Sequence, residues 1–315
     1  MAKGTFWSTS ITIVTNIIGA GLLSLPYTIA CSGLIGGSLA LFCTGTLNLI
    51  AAILLAKCCE LSGATSYKEV VEISLGKAYV PYVSMVLALY TLGSCASYVV
   101  VLGDQVPELL QSAGLHGWEA NQEFVLPIMG LFLLFPLCLL RNLSSLKFTS
   151  IASFGCIVYV SLLVIGRAVK GPLVDSRYIV LTRAGTSEFT GPASTLAVSL
   201  VAFTMHYNVP RFWAELGVGE GSKLWTFSTI LILCFGFVLV CYEGVALSGY
   251  LLFGSAINGN PNPVNSKGDI LLNFNFTPDV QLARVALVLT QILNFPIVFN
   301  SHSVKWGINS CFNPN

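Results

Sequence analysis

The sequence predicts an all-α protein that crosses a membrane several times, and three observations lead to this fold class. Hydrophobic residues make up 55% of the 315-residue chain and charged residues only 9%, with a mean hydropathy of +0.79. A soluble domain carries about 25% charged residues, so this chain is too poor in charge to be solvated as a globule. Apolar stretches recur at the length of about 20 residues that a helix needs to cross hydrocarbon. They lack the short alternating strands of a membrane barrel, and an open sheet would leave unpaired edges in lipid.

Eight apolar stretches are predicted to be membrane spans within one transmembrane domain, residues 1–315. In chain order they are residues 8–32, 34–57, 80–104, 124–140, 148–169, 192–214, 224–253 and 280–302. The polar segment 57–79 contains Ser66–Ile73, whose pattern predicts a short surface helix. Segment 105–123 has turn-forming residues and no Lys or Arg, which predicts a loop.

The distribution of positive charge predicts a cytoplasmic N-terminus. Cytoplasmic loops of membrane proteins carry an excess of Lys and Arg. With the N-terminus inside, the inner side receives nine of the 15 cationic residues and the outer side six. The inner nine are Lys3, Lys57, Lys68, Lys77, Arg141, Lys147, Arg211, Lys223 and Lys305, and the outer six are Arg167, Lys170, Arg177, Arg183, Lys267 and Arg284.

Several classes of function are excluded by what the sequence does not contain. The net charge of +1 offers no basic surface for nucleic acid. The ten cysteines and three histidines form no set with zinc-ligand spacing, so no metal site is predicted. No His-Glu-x-x-His, Gly-x-Ser-x-Gly or P-loop motif is present. We therefore expect neither an enzyme nor a resident cofactor, and we expect the lipid bilayer as the main partner.

The helix of the first span is predicted to break at Gly19, Ala20 and Gly21. Two glycines followed by Pro26 weaken a regular helix. A broken membrane helix presents free N–H groups that attract a carboxylate and carbonyl ends that can hold a cation. Asn16 adds a polar side chain just before the break. The alternative is a packing face of small residues, and the glycines alone favour neither explanation. The polar side chains of Thr15 and Asn16 beside the break favour a binding role.

The sixth span contains a second interruption, in residues 203–211. His206, Asn208, Pro210 and Arg211 do not suit a helix that faces lipid. An ionisable residue inside a membrane is a functional candidate, and His206 could carry a proton near neutral pH. The alternative for His206 is a structural hydrogen bond to a neighbouring helix, and both explanations stay open.

Spans 1 and 6 lie five spans apart, which predicts two inverted repeats of five helices with a binding site between the two breaks. Glu243, inside the seventh span, is a further candidate for proton binding or gating, or else for a structural pair. Thr290 in the eighth span could help to bind a small cation, although a packing role is the commoner one for a threonine.

Four segments of the chain resemble the amino acid/auxin permease family. TNIIGAGLLSLPY (15–27) with CSG (31–33) is similar to the first span of that family, whose members include sodium-coupled neutral amino acid transporters and vacuolar amino acid transporters. AFTMHYNVP (202–210), GYLLFG (249–254) and PIVFNSHSV (296–304) support the resemblance. It implies the fold shared by amino acid permeases and neurotransmitter transporters, alternating access, and coupling to Na⁺ or H⁺.

The resemblance also implies roles for individual residues. The substrate would be an amino acid, expected to be neutral, and no oligomeric state is implied. The implied membrane is the plasma membrane or the vacuolar or lysosomal membrane. The substrate-binding residues would be Asn16, Ile17, Gly19, Ala20, Gly21, Phe203 and Thr204. The coupling-ion residues would be Thr15, Ile18 and Thr290.

Two departures from the family pattern limit what the resemblance implies. Thr15 stands where the sodium-coupled branch has a first-span Asn, so dependence on sodium stays open. Family members usually have about eleven spans, and the predicted spans here end with the eighth. We therefore expect a truncated repeat, and the alternative to a transporter is a truncated paralogue that does not transport or that needs a partner.

Overall fold

The computed structural model describes residues 4–139, 146–182, 190–217, 222–254 and 269–303. Within these ranges the chain is almost entirely helical, and the one β-type pairing is an isolated bridge between Gly4 and Leu216. The predicted all-α fold class is therefore confirmed. The inverted repeat and the count of eight membrane spans stay predictions.

Twelve α-helices make up most of the described part of the chain. They are α1 (Phe6–Ile17), α2 (Leu25–Ser32), α3 (Leu34–Ser62), α4 (Tyr67–Leu75), α5 (Val80–Ser112), α6 (Gln122–Met129), α7 (Phe135–Leu139), α8 (Leu146–Lys170), α9 (Thr190–Ala202), α10 (Val209–Glu215), α11 (Lys223–Phe253) and α12 (Pro278–Ser303). A π-helical segment, Gly130–Leu134, joins α6 to α7. Each of the eight predicted spans is mainly helical within the described residues, and the helix is interrupted in the first and sixth spans.

Four of these helical stretches are long and apolar enough to cross a membrane: Leu34–Ser62, Lys77–Ser112, Ser150–Lys170 and Lys223–Phe253. A fifth span is formed if Phe6–Ile17 and Gly21–Ser32, which are bent by 50° relative to each other, are counted together. Large apolar side chains are exposed along these helices, for example Leu54 on α3 and Val240 on α11. Lipid is the solvent that such surfaces require.

The boundaries of two predicted segments can be compared with the structure. The surface helix expected at Ser66–Ile73 is α4, and Ser66 caps it by accepting a hydrogen bond from the Glu69 N–H. The loop expected to begin at residue 105 was placed too early, because α5 continues to Ser112. Polar residues on this extension have buried partners from α12 and the segment before it, which the pattern of turn formers did not indicate.

Helix α11 lies at the centre of the bundle and positions both interrupted helices. It packs against α1, α2, α3 and α8, and it contributes fully buried side chains such as Phe227, Val238 and Tyr242. The start of the first span also lies beside the end of the sixth, because the Gly4 N–H donates to the Glu215 carbonyl at 2.9 Å. The first and sixth spans are therefore in direct contact at these ends.

Candidate functional site

The first span is interrupted where its two glycines predict. Helix α1 ends at Ile17, and Gly19 has an extended backbone with φ −105° and ψ −144°. The chain then resumes as a 3₁₀-helix, Ala20–Ser24, which leads into α2. The first N–H groups of such a helix have no acceptor within it, so they form a positive end that faces the break.

The two glycines of this break lie against neighbouring helices at distances that leave little room for a side chain. A Cβ atom at Gly19 would lie 3.1 Å from the hydroxyl oxygen of Tyr98 on α5. A Cβ atom at Gly21 would lie 3.2 Å from the Cβ of Ala202 on α9. The break is therefore closely packed against both α5 and the second interrupted helix.

The sixth span is interrupted between Ala202, the end of α9, and a 3₁₀-helix at His206–Asn208 that leads into α10. Within the interruption, the Thr204 carbonyl accepts a hydrogen bond from the Tyr90 hydroxyl at 3.1 Å. The two breaks are joined directly, because the Asn208 side-chain amide donates to the Asn16 amide oxygen at 3.3 Å.

A cavity of about 500 Å³ lies between the two breaks and α5. This volume is within the range of small-molecule sites, about 300–1,000 Å³. Hydroxyl and amide groups are the polar side chains of its lining, and no charged residue is among the lining residues of this described cavity. The lining residues are Asn16, Ile17, Gly19, Gly21, Ser24, Leu89, Tyr90, Gly93, Ser94, Ser97, Tyr98, Ala197, Val198, Val201, Ala202, Thr204, Tyr207 and Val298.

Most of the predicted substrate-binding residues come together at this cavity. Asn16, Ile17, Gly19, Gly21 and Thr204 all line it, and Ala20 begins the 3₁₀-helix between two of them. A substrate-binding role for any of them stays a prediction, since the arrangement gives the site but not its ligand.

Phe203 lies outside the cavity lining. Its side chain is fully buried and makes an edge-to-face contact with Tyr242, at 5.0 Å between ring centroids. It also stacks on Phe235. The structure therefore gives Phe203 a packing role against Tyr242 and Phe235 and shows no surface of Phe203 in the cavity lining.

The three residues predicted for ion coupling are buried, but the two hydroxyls are engaged within their own helices. Thr15 donates to the carbonyls of Ile11 and Thr12, at 3.0 and 3.1 Å as alternatives for its one proton. Thr290 donates to the Ala286 carbonyl at 2.8 Å. Ile18, with its side chain fully buried, lies at the end of the first half-helix. Their role in coupling stays a prediction.

His206 and Glu243 both face α3 and are absent from the cavity lining. His206 Nε2 lies 3.0 Å from the Asn48 carbonyl oxygen, which is the structural contact considered as the alternative to proton coupling. Glu243 is half-buried near Ser38, and its Oε2 atom is buried without a hydrogen-bond partner among the described residues. A proton or gating role for either residue stays a prediction.

The sequence interpretation missed the contribution of the third span. Tyr90, Ser94, Ser97 and Tyr98 are on α5 and line the cavity opposite the breaks, and Gly93 leaves space between them. Residues three and four apart share one face of a helix, so this spacing in an apolar stretch was a signal for a polar face. Tyr207 was also missed, although it lies between two residues that were considered.

Comparison with known proteins identifies the family. The family model described as transmembrane amino acid transporter protein matches residues 2–302. The chain belongs to this family.

Members of the transmembrane amino acid transporter family from animals, fungi and plants align with most of the chain. Sodium-coupled neutral amino acid transporter 7 of Danio rerio is 24% identical over 308 residues, covering 94% of this chain and 63% of that protein. Vacuolar amino acid transporter 5 of Schizosaccharomyces pombe is 30% identical over 268 residues, covering 82% and 61%. Amino acid transporter AVT6E of Arabidopsis thaliana is 27% identical over 310 residues, covering 91% and 59%. The chain thus spans less than two thirds of the length of these curated relatives.

This family member also contains a polar cluster away from the cavity, which we call the Arg284 cluster: Gln105, Glu108, Asp269 and Arg284. Arg284 is only 1% exposed, and its guanidinium donates to Glu108 at 3.4 Å and to the Leu271 carbonyl at 3.2 Å. Asp269 is 8% exposed and accepts hydrogen bonds from the Gln105 side chain and the Leu271 N–H. The Arg284 cluster joins α5 to α12 and to the segment before α12.

Asp269 lies outside the predicted spans, and its burial raises the pKa of its carboxyl to about 7. The two hydrogen bonds that it accepts, and the charge of Arg284, oppose this rise, whereas the nearby Asp104 adds to it. Glu108 is the other acidic residue of the cluster. In an unfolded chain the pKa of an Asp is about 3.9, so folding favours the protonated carboxyl.

We expect this group to make the folded protein less stable as the pH rises from 6 to 8. Because the pKa of the Asp269 carboxyl is raised in the folded state, its contribution to the free energy of unfolding is fully present below about pH 4 and is lost as the pH rises through about 7. The part of this loss that falls between pH 6 and 8 is about 1.4 kcal/mol. Melting midpoints in detergent across this range measure it. Asp269→Asn should flatten the pH dependence, because an amide does not titrate in this range. The new amide can also donate to the unpartnered Oε1 of Gln105, so the site keeps a hydrogen bond. Asp279→Asn, at an exposed carboxylate, is the control that should leave it unchanged. Equal slopes for all three proteins would contradict the prediction.

Proposed function

We propose that the chain forms the substrate site of a secondary active transporter of neutral amino acids, driven by a Na⁺ or H⁺ gradient. The observation that carries the proposal is the cavity of about 500 Å³ between two interrupted helices. Family membership and the names of the relatives support an amino acid as the substrate.

The chemistry of the lining favours a zwitterion with an uncharged side chain. The N–H end of the 3₁₀-helix at Ala20 supplies partial positive charge for a carboxylate. The Asn16 amide oxygen and the carbonyl end of α9 supply partial negative charge for an ammonium group. The remaining lining is apolar or carries hydroxyl groups, so it offers no counter-charge for a third ionised group. Burying such a charge without a partner is costly, which disfavours acidic and basic amino acids.

Proteoliposomes that contain the purified chain test the proposal. Uptake of alanine, glutamine and leucine is measured against arginine and aspartate, under an inward Na⁺ gradient, an inward H⁺ gradient, both or neither. We expect uptake of the neutral amino acids above that of empty liposomes, and loss of accumulation when both gradients are collapsed. Uptake that does not respond to either gradient would contradict ion coupling, and a preference for charged substrates would contradict the proposed specificity.

Two variants separate the coupling ions in the same assay. If H⁺ drives uptake, His206→Gln or Glu243→Gln should remove the response to a pH gradient, because neither replacement can titrate. The His206→Gln side chain can still donate to the Asn48 carbonyl, so the contact with α3 is kept. If Na⁺ drives uptake, both variants should retain the response to Na⁺. Binding of neutral amino acids without uptake would instead support the alternative of a chain that does not transport by itself.

A further inference from the structure

A single tyrosine hydroxyl lies between the carbonyl ends of the two interrupted helices. Tyr242 on α11 is fully buried, and its hydroxyl oxygen is 3.1 Å from the carbonyl oxygen of Ile17 and 3.1 Å from that of Ala202. These are the last residues of α1 and α9, which are 185 positions apart in the chain. Neither the predicted site nor the family comparison involves Tyr242.

The position has a clear electrostatic character. The carbonyl end of a helix carries partial negative charge, and a buried carbonyl needs a hydrogen-bond donor. In interrupted membrane helices such ends commonly coordinate a cation. Here an uncharged hydroxyl approaches both ends, and its one proton is shared between two acceptors. Any separation of α1 from α9 would lengthen at least one of these contacts.

The location of the hydroxyl is fixed by aromatic packing. The Tyr242 ring makes an edge-to-face contact with Phe203, with 5.0 Å between ring centroids, and Phe203 stacks on Phe235. All three side chains are buried, at 0 to 2% exposure. Because the ring is closely packed, the Tyr242 hydroxyl has little freedom to follow the two helix ends if they move. It therefore restricts the separation of the two ends.

We propose that Tyr242 is a positioning residue whose hydroxyl holds the carbonyl ends of α1 and α9 together, in a place where a cation would otherwise bridge them. Ile17 and Ala202 both line the cavity, so the distance between these helix ends sets the width of the site. The expected effect on amino acid binding rests on the proposed function. The hydrogen-bonded bridge between the two helix ends does not, because it is present without a ligand.

The test compares Tyr242→Phe with Tyr250→Phe. Tyr250 is on the same helix and is also fully buried, but its hydroxyl accepts a hydrogen bond from the Val180 N–H at 2.8 Å, away from both breaks. Each variant removes one buried hydroxyl from α11, so general destabilisation should be similar. Amide hydrogen exchange of residues 17–24 and 202–208 is measured in both variants without ligand. Affinity for alanine, glutamine and leucine is measured by the shift that each causes in the melting midpoint, and KM by uptake.

We expect Tyr242→Phe to exchange faster at both breaks, to bind neutral amino acids at least tenfold more weakly and to show a higher KM, whereas Tyr250→Phe matches the wild type in all three. Unchanged exchange at the breaks in Tyr242→Phe, or the same increase in Tyr250→Phe, would overturn the bridging role. A wild-type protein that binds no amino acid would contradict the proposed function, and the exchange measurement would still decide the role of Tyr242.

Discussion

Replacing Gly21 with Leu is expected to reduce amino acid uptake to the level of empty liposomes. The Cβ atom that any other residue adds at this position would lie 3.2 Å from the Cβ of Ala202, which is closer than ordinary van der Waals contact. A leucine adds three more carbon atoms, and the open space beside Gly21 is the cavity itself. The side chain would therefore either fill the site or separate the first break from α9. Overpacking of this kind costs about 1–3 kcal/mol in soluble cores, so the bundle should still fold.

A graded series and a matched control make this prediction specific. Gly21→Ala adds a single carbon and should retain part of the uptake, because Ala202 must move by only a few tenths of an ångström. Gly19→Leu should also abolish uptake, since its Cβ would lie 3.1 Å from the Tyr98 hydroxyl. Gly236→Leu is the control, because Gly236 is exposed on α11 and a Cβ there meets no atom within 4 Å. Uptake is normalised to the amount of monodisperse protein after reconstitution. Full uptake by Gly21→Leu, or equal loss in Gly236→Leu, would show that the break does not form the substrate site.

The parts of this structure that the sequence predicted are those governed by local physics. Lipid requires long apolar helices, so their positions follow from hydropathy alone. Each of the twelve described helices overlaps a predicted span or the predicted surface helix. The breaks were predictable because Gly19, Gly21 and Pro210 weaken a helix wherever they stand. The end of α5 was not, because its polar residues continue the helix only when α12 supplies partners.

The parts that were missed depend on contacts between distant residues. Ser94 and Ser97 are small enough to pass as helix-packing residues, and only their position opposite the breaks makes them part of the site. Tyr242 lies in an apolar helix with no unusual spacing, and its hydroxyl meets a carbonyl 225 positions away. Phe203 was assigned to the site because of its place next to a break, yet its ring points to Tyr242 and Phe235. A position next to the break in the sequence therefore did not predict the direction in which the side chain points.

Arg284 is the residue for which the structure changes the interpretation most. The charge distribution counted it only as one of six cations on the predicted outer side. The structure buries it in the Arg284 cluster at 1% exposure, above the ring of Phe276 and beside Glu108. We expect Arg284→Met to destabilise the protein by about 3–5 kcal/mol, because it leaves the partly buried Glu108 carboxylate without its cation and the Leu271 carbonyl without its donor. The melting midpoint and the yield of monodisperse protein in detergent measure this loss.

The ion pair between Arg167 and Asp279 provides the contrast that tests this reasoning. Its separation of 2.6 Å is shorter than the 3.4 Å between Arg284 and Glu108, so contact distance alone would make it the stronger pair. Its side chains are 38% and 46% exposed, however, so water can solvate the Asp279 carboxylate when the ion pair is removed. Arg167→Met should therefore cost less than about 1 kcal/mol. Adding Glu108→Gln to Arg284→Met should recover part of the stability, because one uncompensated charge is removed. A larger loss from Arg167→Met than from Arg284→Met would mean that burial does not determine the strength of these contacts.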